Sequence, residues 1–323
     1  MKEALYYSRF KEKVKCTLCP NNCIISKSRY GKCKTRKNVK SKLIATTYGK
    51  PCSISVDPIE KKPLFHFLPG EKVFSLSTTG CNLSCKFCQN WEISQARLEE
   101  VPFKKLSPEE VIKKCKSKII AYTYTEPTVY YEYVLDCAKL AKKKRLKNVT
   151  VTNGYINVKP LRRLYKYIDA ANVDLKSFDN SFYKKYCGAQ LEPVLKSIKE
   201  IHKKSWLEVT NLIIPGYNDD MEKIKEMCEW LKDLDSSIPL HFSRYFPCYK
   251  MKAKATPEKT LMNAYNIAKE VGIKYVYLGN MVLNNDTLCP GCGKVLIKRY
   301  NNLLISEKKK CKCGYRLEGR FIN

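Results

Sequence analysis

The chain has 323 residues, 44% of them hydrophobic, with 17 cysteines and a net charge of +30. That is enough apolar material for one large domain with appendages or for two domains, and too much for a disordered chain. No apolar run approaches the roughly 18–20 residues of a membrane span and the N-terminus lacks the apolar core of a signal peptide, so the sequence predicts a soluble cytoplasmic protein with no membrane partner.

In that setting closely spaced cysteines point to metal rather than to disulfides. The charge is uneven. Residues 1–50 hold 14 Lys/Arg against 2 acids, and residues 289–323 hold 9 against 2. Basic ends suit an acidic partner, either nucleic acid or an electron donor such as ferredoxin or flavodoxin. A Lys-rich composition with solvated charged faces gives the same numbers.

The first motif is Cys16-x2-Cys19-x3-Cys23-x9-Cys33, with Pro20, Asn21, Asn22 and Gly31 supplying turns. Four thiolates make a four-ligand site, and both structural zinc and an auxiliary iron–sulfur cluster accept that set. Leu43 to Val56 predicts a hairpin, broken at Asp57-Pro58. Residues 61–70 read as a loop rich in proline and aromatics, in which His66 is a packed histidine more than a ligand or general acid.

Val73–Ser77 predicts a strand ending in a tight turn, followed by Cys81-Asn-Leu-Ser-Cys85-Lys-Phe-Cys88. Three thiolates on one loop can hold three irons of a [4Fe–4S] cluster and leave the fourth open to a substrate or cofactor. A regular rhythm follows. Strands are predicted at 118–122, 148–152, 170–174, 207–214, 239–244 and 274–278. Helical periodicity runs over 128–145, 160–168, a stretch to about 204, 219–234 and 257–271.

With Val73–Ser77 this makes seven strands alternating with helices, hence parallel strands with right-handed crossovers. Seven fall short of a closed eight-fold barrel, so an open, partial barrel is expected. Reactive groups in such folds gather just past the strands' C-terminal ends. Those positions are Cys81–Cys88, Thr123–Glu126, Asn153, Asp174 with Lys176, Asn211, His241 with Arg244, and Asn280.

The last unit, Cys289-Pro-Gly-Cys292-Gly and then Cys311-Lys-Cys313-Gly around a β-rich spacer, reads as a zinc ribbon. Its role is structural, because four thiolates leave zinc no open position. Three modules are expected: a Cys-rich metal-binding extension and hairpin at 1–70, the barrel at 71–284 and the ribbon at 285–323. Of the remaining cysteines, Cys52, Cys115, Cys137 and Cys228 read as small core residues, while Cys187 and Cys248 are candidates to face the pocket.

Several longer motifs carry a resemblance. They are Cys16-Thr-Leu-Cys-Pro, Asp57-Pro-Ile-Glu-Lys-Lys-Pro-Leu-Phe-His-Phe, Gly80-Cys-Asn-Leu-Ser-Cys-Lys-Phe-Cys-Gln-Asn-Trp-Glu-Ile-Ser, Tyr122-Thr-Tyr-Thr-Glu-Pro-Thr, Thr152-Asn-Gly-Tyr and the terminal Cys-Pro-x-Cys-Gly. With them the chain resembles the radical S-adenosylmethionine (SAM) superfamily. Within it the chain is similar to the activating-enzyme-like group around the pyruvate formate-lyase activase, and more closely to the radical SAM member of the AmmeMemoRadiSam system. The resemblance implies an α/β fold, a partial (β/α)6-type radical SAM barrel with an N-terminal Cys-rich extension and a C-terminal zinc ribbon.

It also implies a [4Fe–4S] cluster on Cys81, Cys85 and Cys88, with the amino and carboxylate groups of SAM on the fourth iron. Glu126 stands at the family's Gly-Gly-Glu motif, where Tyr and Thr replace the glycines, and would hold the SAM ammonium. Asp174 and Lys176 match an Asp-x-Lys motif beside the methionine moiety. Asn153 and His241 would line the SAM site, and Phe87 or Tyr122 would pack on the adenine. The implied chemistry is reductive cleavage of SAM to methionine and a 5′-deoxyadenosyl radical, which takes hydrogen from a substrate. That substrate is a protein or peptide by analogy with the activases. An RNA-modifying enzyme and a non-catalytic iron–sulfur or zinc scaffold are the alternatives. Glu126 and the Asp174/Lys176 pair weigh against the scaffold, which has no need of them.

Overall fold

The structure, a computed structural model, describes residues 2–301 and 303–321. Eight strands form its main sheet: β1 (Ser53–Pro58), β2 (Lys72–Ser77), β3 (Ile119–Tyr122), β4 (Lys147–Thr152), β5 (Ala170–Asp174), β6 (Trp206–Ile213), β7 (Leu240–Arg244) and β8 (Val276–Gly279). They lie in one linear order, β8-β7-β6-β5-β4-β3-β2-β1. Neighbours from β2 to β8 pair in parallel, so all seven expected strands are present and the barrel is open.

Six helices make the crossovers: α1 (Pro108–Lys114), α2 (Tyr131–Lys143), α3 (Val158–Leu164), α4 (Leu191–His202), α5 (Met221–Asp235) and α6 (Glu258–Val271). Their limits follow from local chemistry. Ser107 and Glu110 form a reciprocal capping box with Pro108 in the first turn of α1. Asp220 accepts from the N–H groups of Glu222 and Lys223 at the start of α5. Gly272 ends α6 at φ 106°, a left-handed cap. The apolar row Leu191, Val194, Ile198 and Ile201 seats α4 on the sheet. Every residue of β3 is buried, as expected of a parallel strand covered on both faces.

The expected hairpin between Leu43 and Val56 does not form. Lys42–Ala45 pairs with Arg36–Val39 instead, through Lys40 and Ser41 at φ 49° and 59°. Two such residues make the mirror-image turn that suits a hairpin's twist, but Lys-Ser lacks the Asn-Gly signal that announces it. Ser53–Pro58 pairs antiparallel with β2, Ser53 opposite Ser77 and Pro58 opposite Lys72. The main sheet therefore takes its first strand from within residues 1–70.

The loop after β1 plugs the N-terminal end of the barrel. Ile59, Leu64 and Phe67 share an apolar cluster with Val73, Ile119, Val149 and Ala170 near the strand starts. Glu208 on β6 anchors the plug from inside, accepting from the backbone N–H of Phe65 at 2.9 Å and of His66 at 2.8 Å. His66 is fully buried, with Nδ1 2.7 Å from the Glu318 carbonyl and Nε2 2.6 Å from the Tyr277 hydroxyl. It is a packed histidine, joining the plug to the C-terminal module.

Burial pulls the His66 pKa down to about 4. The unfolded chain, titrating near 6.5, binds this proton first, so stability falls as pH drops from about 6.5 toward 4, by about 3 kcal/mol over the full span. Urea melts at pH 7 and pH 4.5 should show that loss in the wild type and a smaller one in His66→Gln. An equal pH dependence in both would refute the assignment.

The C-terminal module is an antiparallel sheet of Thr287–Leu288, Val295–Tyr300 and Leu303–Glu307. Cys289, Cys311, Leu296 and Leu317 share one apolar cluster with Phe65 of the plug and Tyr275 and Tyr277 of the barrel. Among the described residues no helix is long and apolar enough to cross a membrane.

Candidate active site

Gly80 turns the chain out of β2 at φ 91° and delivers the Cys81–Cys88 loop to the strands' C-terminal ends. The loop is pinned by Ser84 N–H to the Cys187 carbonyl and Lys86 N–H to the Tyr186 carbonyl, each 2.9 Å. All three cysteines face a cavity of about 360 Å3, which Phe87, Thr123–Glu126, Asn153, Asp174, Lys176, Thr210, Ser243 and Asn280 also line. Its size fits a small-molecule site. Two larger hollows, of about 510 and 650 Å3, lie around Tyr48 with Lys139 and Tyr30 with Ile44, and no comparable set of thiols and charges meets there.

Polar hydrogens point at the sulfurs. Leu83 N–H lies 3.4 Å from Cys81 Sγ and Asn153 Nδ2 3.6 Å from it. Ser94 Oγ is 3.2 Å from Cys88 Sγ. A hydrogen bond from Cys187, helped by the Lys176 cation, holds the Cys85 thiol below its usual range although burial opposes this. Burial, with Glu126 nearby, pushes the Cys81 thiol well up.

Glu126 is buried and caps the short turn Pro127–Tyr130. Its Oε1 accepts from Thr128 N–H at 3.0 Å, Thr128 Oγ1 at 2.6 Å and Thr152 Oγ1 at 2.8 Å. Among the described residues its Oε2 accepts only Asn153 N–H, at 2.8 Å, which leaves capacity for a second donor from the cavity. Burial raises its pKa against the pull of those four donors, and an arriving cation would relieve that penalty.

Tyr124 shows how a side chain can stand where a glycine is expected. Its φ is 63°, the left-handed region, which costs a non-glycine residue roughly 1–2 kcal/mol. Four contacts hold it. Its hydroxyl donates to Asp57 Oδ2, lies against Ser55 Oγ and accepts from Lys62 Nζ at 3.2 Å. Asn90 Nδ2 donates to its carbonyl at 2.9 Å.

Asp174 and Lys176, at the end of β5, form an ion pair at 3.0 Å. Burial opposes the lysine's charge, but Asp174 and Cys85 outweigh it and hold the pKa well above the usual range. The Phe87 ring centre lies 5.8 Å from Lys176 Nζ.

Six candidates lie elsewhere. His241 does not line the cavity: it sits one layer deeper on β7, where Nε2 meets Glu208 Oε2 at 2.7 Å, while Ser243, two residues on, reaches the cavity. Tyr122 is fully buried and donates to Asn148 Oδ1 at 3.1 Å. Asn211 bonds the Leu175 carbonyl, because alternation on β6 gives the cavity to Thr210 and Leu212. Arg244 donates to the Thr256 carbonyl. Cys187 and Cys248 sit behind the loop, the first on the Cys85 thiol and the second 3.5 Å from the Cys88 carbonyl. Residues the motif positions did not single out include Lys61, Lys62 and Pro63, by which the plug also lines the cavity. Their only sequence signal was the Lys-Lys-Pro run of the plug loop.

The four C-terminal thiols, Cys289, Cys292, Cys311 and Cys313, all lie within 4.8 Å of one another. Cys16, Cys19, Cys23 and Cys33 line a second hollow on the far side of the triad loop.

Residues 75–231 match the family model of the radical SAM superfamily. An uncharacterised protein of Methanocaldococcus jannaschii, MJ0808, is 45% identical over 98% of this chain and 99% of its own. The chain belongs to the radical SAM superfamily. It is accordingly a radical SAM enzyme of the activating-enzyme-like kind, with a [4Fe–4S] cluster and SAM as the superfamily's cofactors. The pyruvate formate-lyase-activating enzyme of Staphylococcus epidermidis is 23% identical to this radical SAM chain over 50% of it and 70% of the relative. A solved radical SAM methyltransferase from Sphaerobacter thermophilus shares the fold, with a TM-score of 0.50 at 14% identity over 66% of this chain and 67% of that one.

Proposed function

We propose that Cys81, Cys85 and Cys88 hold the [4Fe–4S] cluster, that SAM fills the cavity beside them, and that the hydrogen is taken from a protein or peptide. One observation carries this reading: the three thiols share a single cavity with Glu126 and the Asp174–Lys176 pair. The donor set fits the group. Three thiols from one loop leave one iron without a cysteine, and N–H and O–H groups already address two of the sulfurs. When bound, the pair supplies a 5′-deoxyadenosyl radical by one-electron cleavage of SAM.

The chain's own groups do the rest. Glu126 receives the ammonium on the open side of Oε2. Lys176 faces the carboxylate, with Asp174 holding it in place. Phe87 and Asn153 border the space left for the nucleoside. His241 has no part in this set and positions Glu208 instead. The plug closes the barrel from below. The four C-terminal thiols suit zinc, whose sulfur ligands at about 2.3 Å lie no more than about 4.6 Å apart.

The loops that follow the strands' C-terminal ends favour a protein or peptide. Trp91, Tyr217, Phe246 and Val282 follow the triad, β6, β7 and β8 in turn, and are 40%, 39%, 44% and 92% exposed. Apolar groups in such loops suit a polypeptide segment better than a phosphate backbone. The basic surface suits an acidic reductant such as ferredoxin or flavodoxin.

The test is anaerobic reconstitution with SAM and dithionite, reading 5′-deoxyadenosine by chromatography. The wild type should form it, and the Cys81/Cys85/Cys88→Ala triple variant should not. Glu126→Gln should weaken SAM binding about tenfold or more, the scale of a lost charge-assisted hydrogen bond. No product above the triple variant sinks the reading. Peptide extracts that raise the yield support the substrate class, and total RNA doing so instead overturns it.

A further inference from the structure

The N-terminal cysteines are a different kind of site from the C-terminal ones, and their spacing says which. Two sulfurs on one zinc ion can be no farther apart than about 4.6 Å, twice the Zn–S distance. Cys289, Cys292, Cys311 and Cys313 meet that limit closely, with Sγ pairs at 3.6 and 3.4 Å. Among the described residues they are the one group of three or more His, Cys, Asp or Glu ligand atoms lying mutually within 4.8 Å. Cys16, Cys19, Cys23 and Cys33 do not gather into such a group. Yet all four line one hollow. The triad Cys81, Cys85 and Cys88 likewise forms no such group and lines a shared cavity. A cubane places each thiolate on its own iron, and that is the centre which spreads its ligands while gathering them.

The walls agree. Asn21 Nδ2 lies 3.7 Å from Cys19 Sγ, a donor of the kind that stabilises cluster sulfurs, and Thr35 Oγ1, which donates to the Val129 carbonyl at 2.9 Å, lies 3.3 Å from Cys33 Sγ. Arg36 also lines the hollow. Its Nη1 and Nη2 are engaged by Leu5 O and Glu132, but its buried Nε has no hydrogen-bond partner among the described residues. An orphaned N–H on a buried cation asks for an anionic acceptor, which a thiolate-ligated cluster supplies and a filled apolar core does not.

We infer that Cys16, Cys19, Cys23 and Cys33 bind a second, fully thiolate-ligated [4Fe–4S] cluster rather than zinc. It lies against the back of the triad loop. Asn21 Nδ2 donates to the Asn82 carbonyl at 2.8 Å, and the Cys33 carbonyl packs on Gly80, the residue before Cys81. With no iron left open, this cluster does not bind SAM. The proposal for the triad enters here only as a yardstick of spacing.

The experiment reconstitutes the full chain anaerobically and measures iron, sulfide and zinc together with the EPR spectrum of the reduced protein. The wild type should carry about eight irons and one zinc. The Cys81/Cys85/Cys88→Ala variant should keep about four irons, four sulfides and one zinc, with a spectrum that SAM does not alter. Cys19→Ser/Cys23→Ser should keep about four irons with a spectrum that SAM does alter. A triad variant holding two zincs and no iron overturns the inference, and so does wild-type iron content in Cys19→Ser/Cys23→Ser. Retained zinc at the C-terminal site reports that each variant is folded. Absence of 5′-deoxyadenosine with these stoichiometries intact would count against the SAM reading alone.

Discussion

Gly80→Ala is expected to lower stability by about 3–5 kcal/mol, the sum of a left-handed backbone and a collision. At φ 91° any side chain is strained, and here the new Cβ would lie 2.3 Å from Thr35 Cγ2 and 2.5 Å from the Cys33 carbonyl oxygen. The second contact is backbone and cannot swing away. Because Gly80 joins β2 to Cys81 while its neighbour is Cys33, iron should fall at both thiolate sites together. Gly216→Ala separates the two causes: its φ is 76°, but nothing lies within 4 Å of the built Cβ. It should lose only about 1–2 kcal/mol. Urea melts with iron assays on both variants decide it, and equal losses would mean that the collision is absent.

Glu132→Gln is expected to destabilise by about 3–5 kcal/mol, because it leaves the Arg36 cation buried without the carboxylate that both its Nη2 bonds reach. The two side chains are 2% and 1% exposed, and the guanidinium's Nη2 reaches both carboxylate oxygens at 2.7 and 2.8 Å. Leu5 closes the arrangement, its N–H on Glu132 at 2.7 Å and its carbonyl on Arg36 at 3.0 Å. Arg36→Met should cost a similar amount. The double variant Arg36→Met/Glu132→Leu should recover most of the loss, since neither charge then has to leave water, and retain a deficit of about 1–3 kcal/mol for the unpaired Leu5 groups. A double variant as unstable as the sum of the singles would show that the pair is not coupled.

The barrel was legible because each parallel strand is covered on both faces and reads as a short apolar run, as Ile119–Tyr122 does. The triad was legible because its three cysteines are local in sequence. Glu126, Asp174 and Lys176 were placed by motif and by position past a strand end, and they share the cavity. What stayed hidden depends on depth or on distant partners. His241 and Ser243 point the same way on one strand, and only the strand's height in the barrel separates a buried Glu208 partner from a cavity wall. Ser53–Pro58 alternates like a hairpin strand whichever strand it pairs with. Tyr124 takes a glycine's conformation because Asp57, 67 residues earlier, holds its hydroxyl, a pairing that no local pattern announces. The metal preference of the N-terminal quartet was open in sequence because zinc and a cubane accept the same four thiolates. The inferred cubane rests on how the four thiols are spaced in three dimensions.

The joint between the ribbon and the barrel bears on how chelation data should be read. The thiols of Cys289 and Cys311 belong to the same apolar cluster as Phe65 of the plug and Tyr277 of β8, and Arg299 Nη2 from the ribbon donates to the Phe65 carbonyl at 2.8 Å. Stripping a metal from those thiols would loosen the floor on which the cavity rests, a barrel's length from the chemistry. Activity that fades with a zinc chelator is thus the signature of a slackened scaffold, and by itself places no zinc at the reacting atoms.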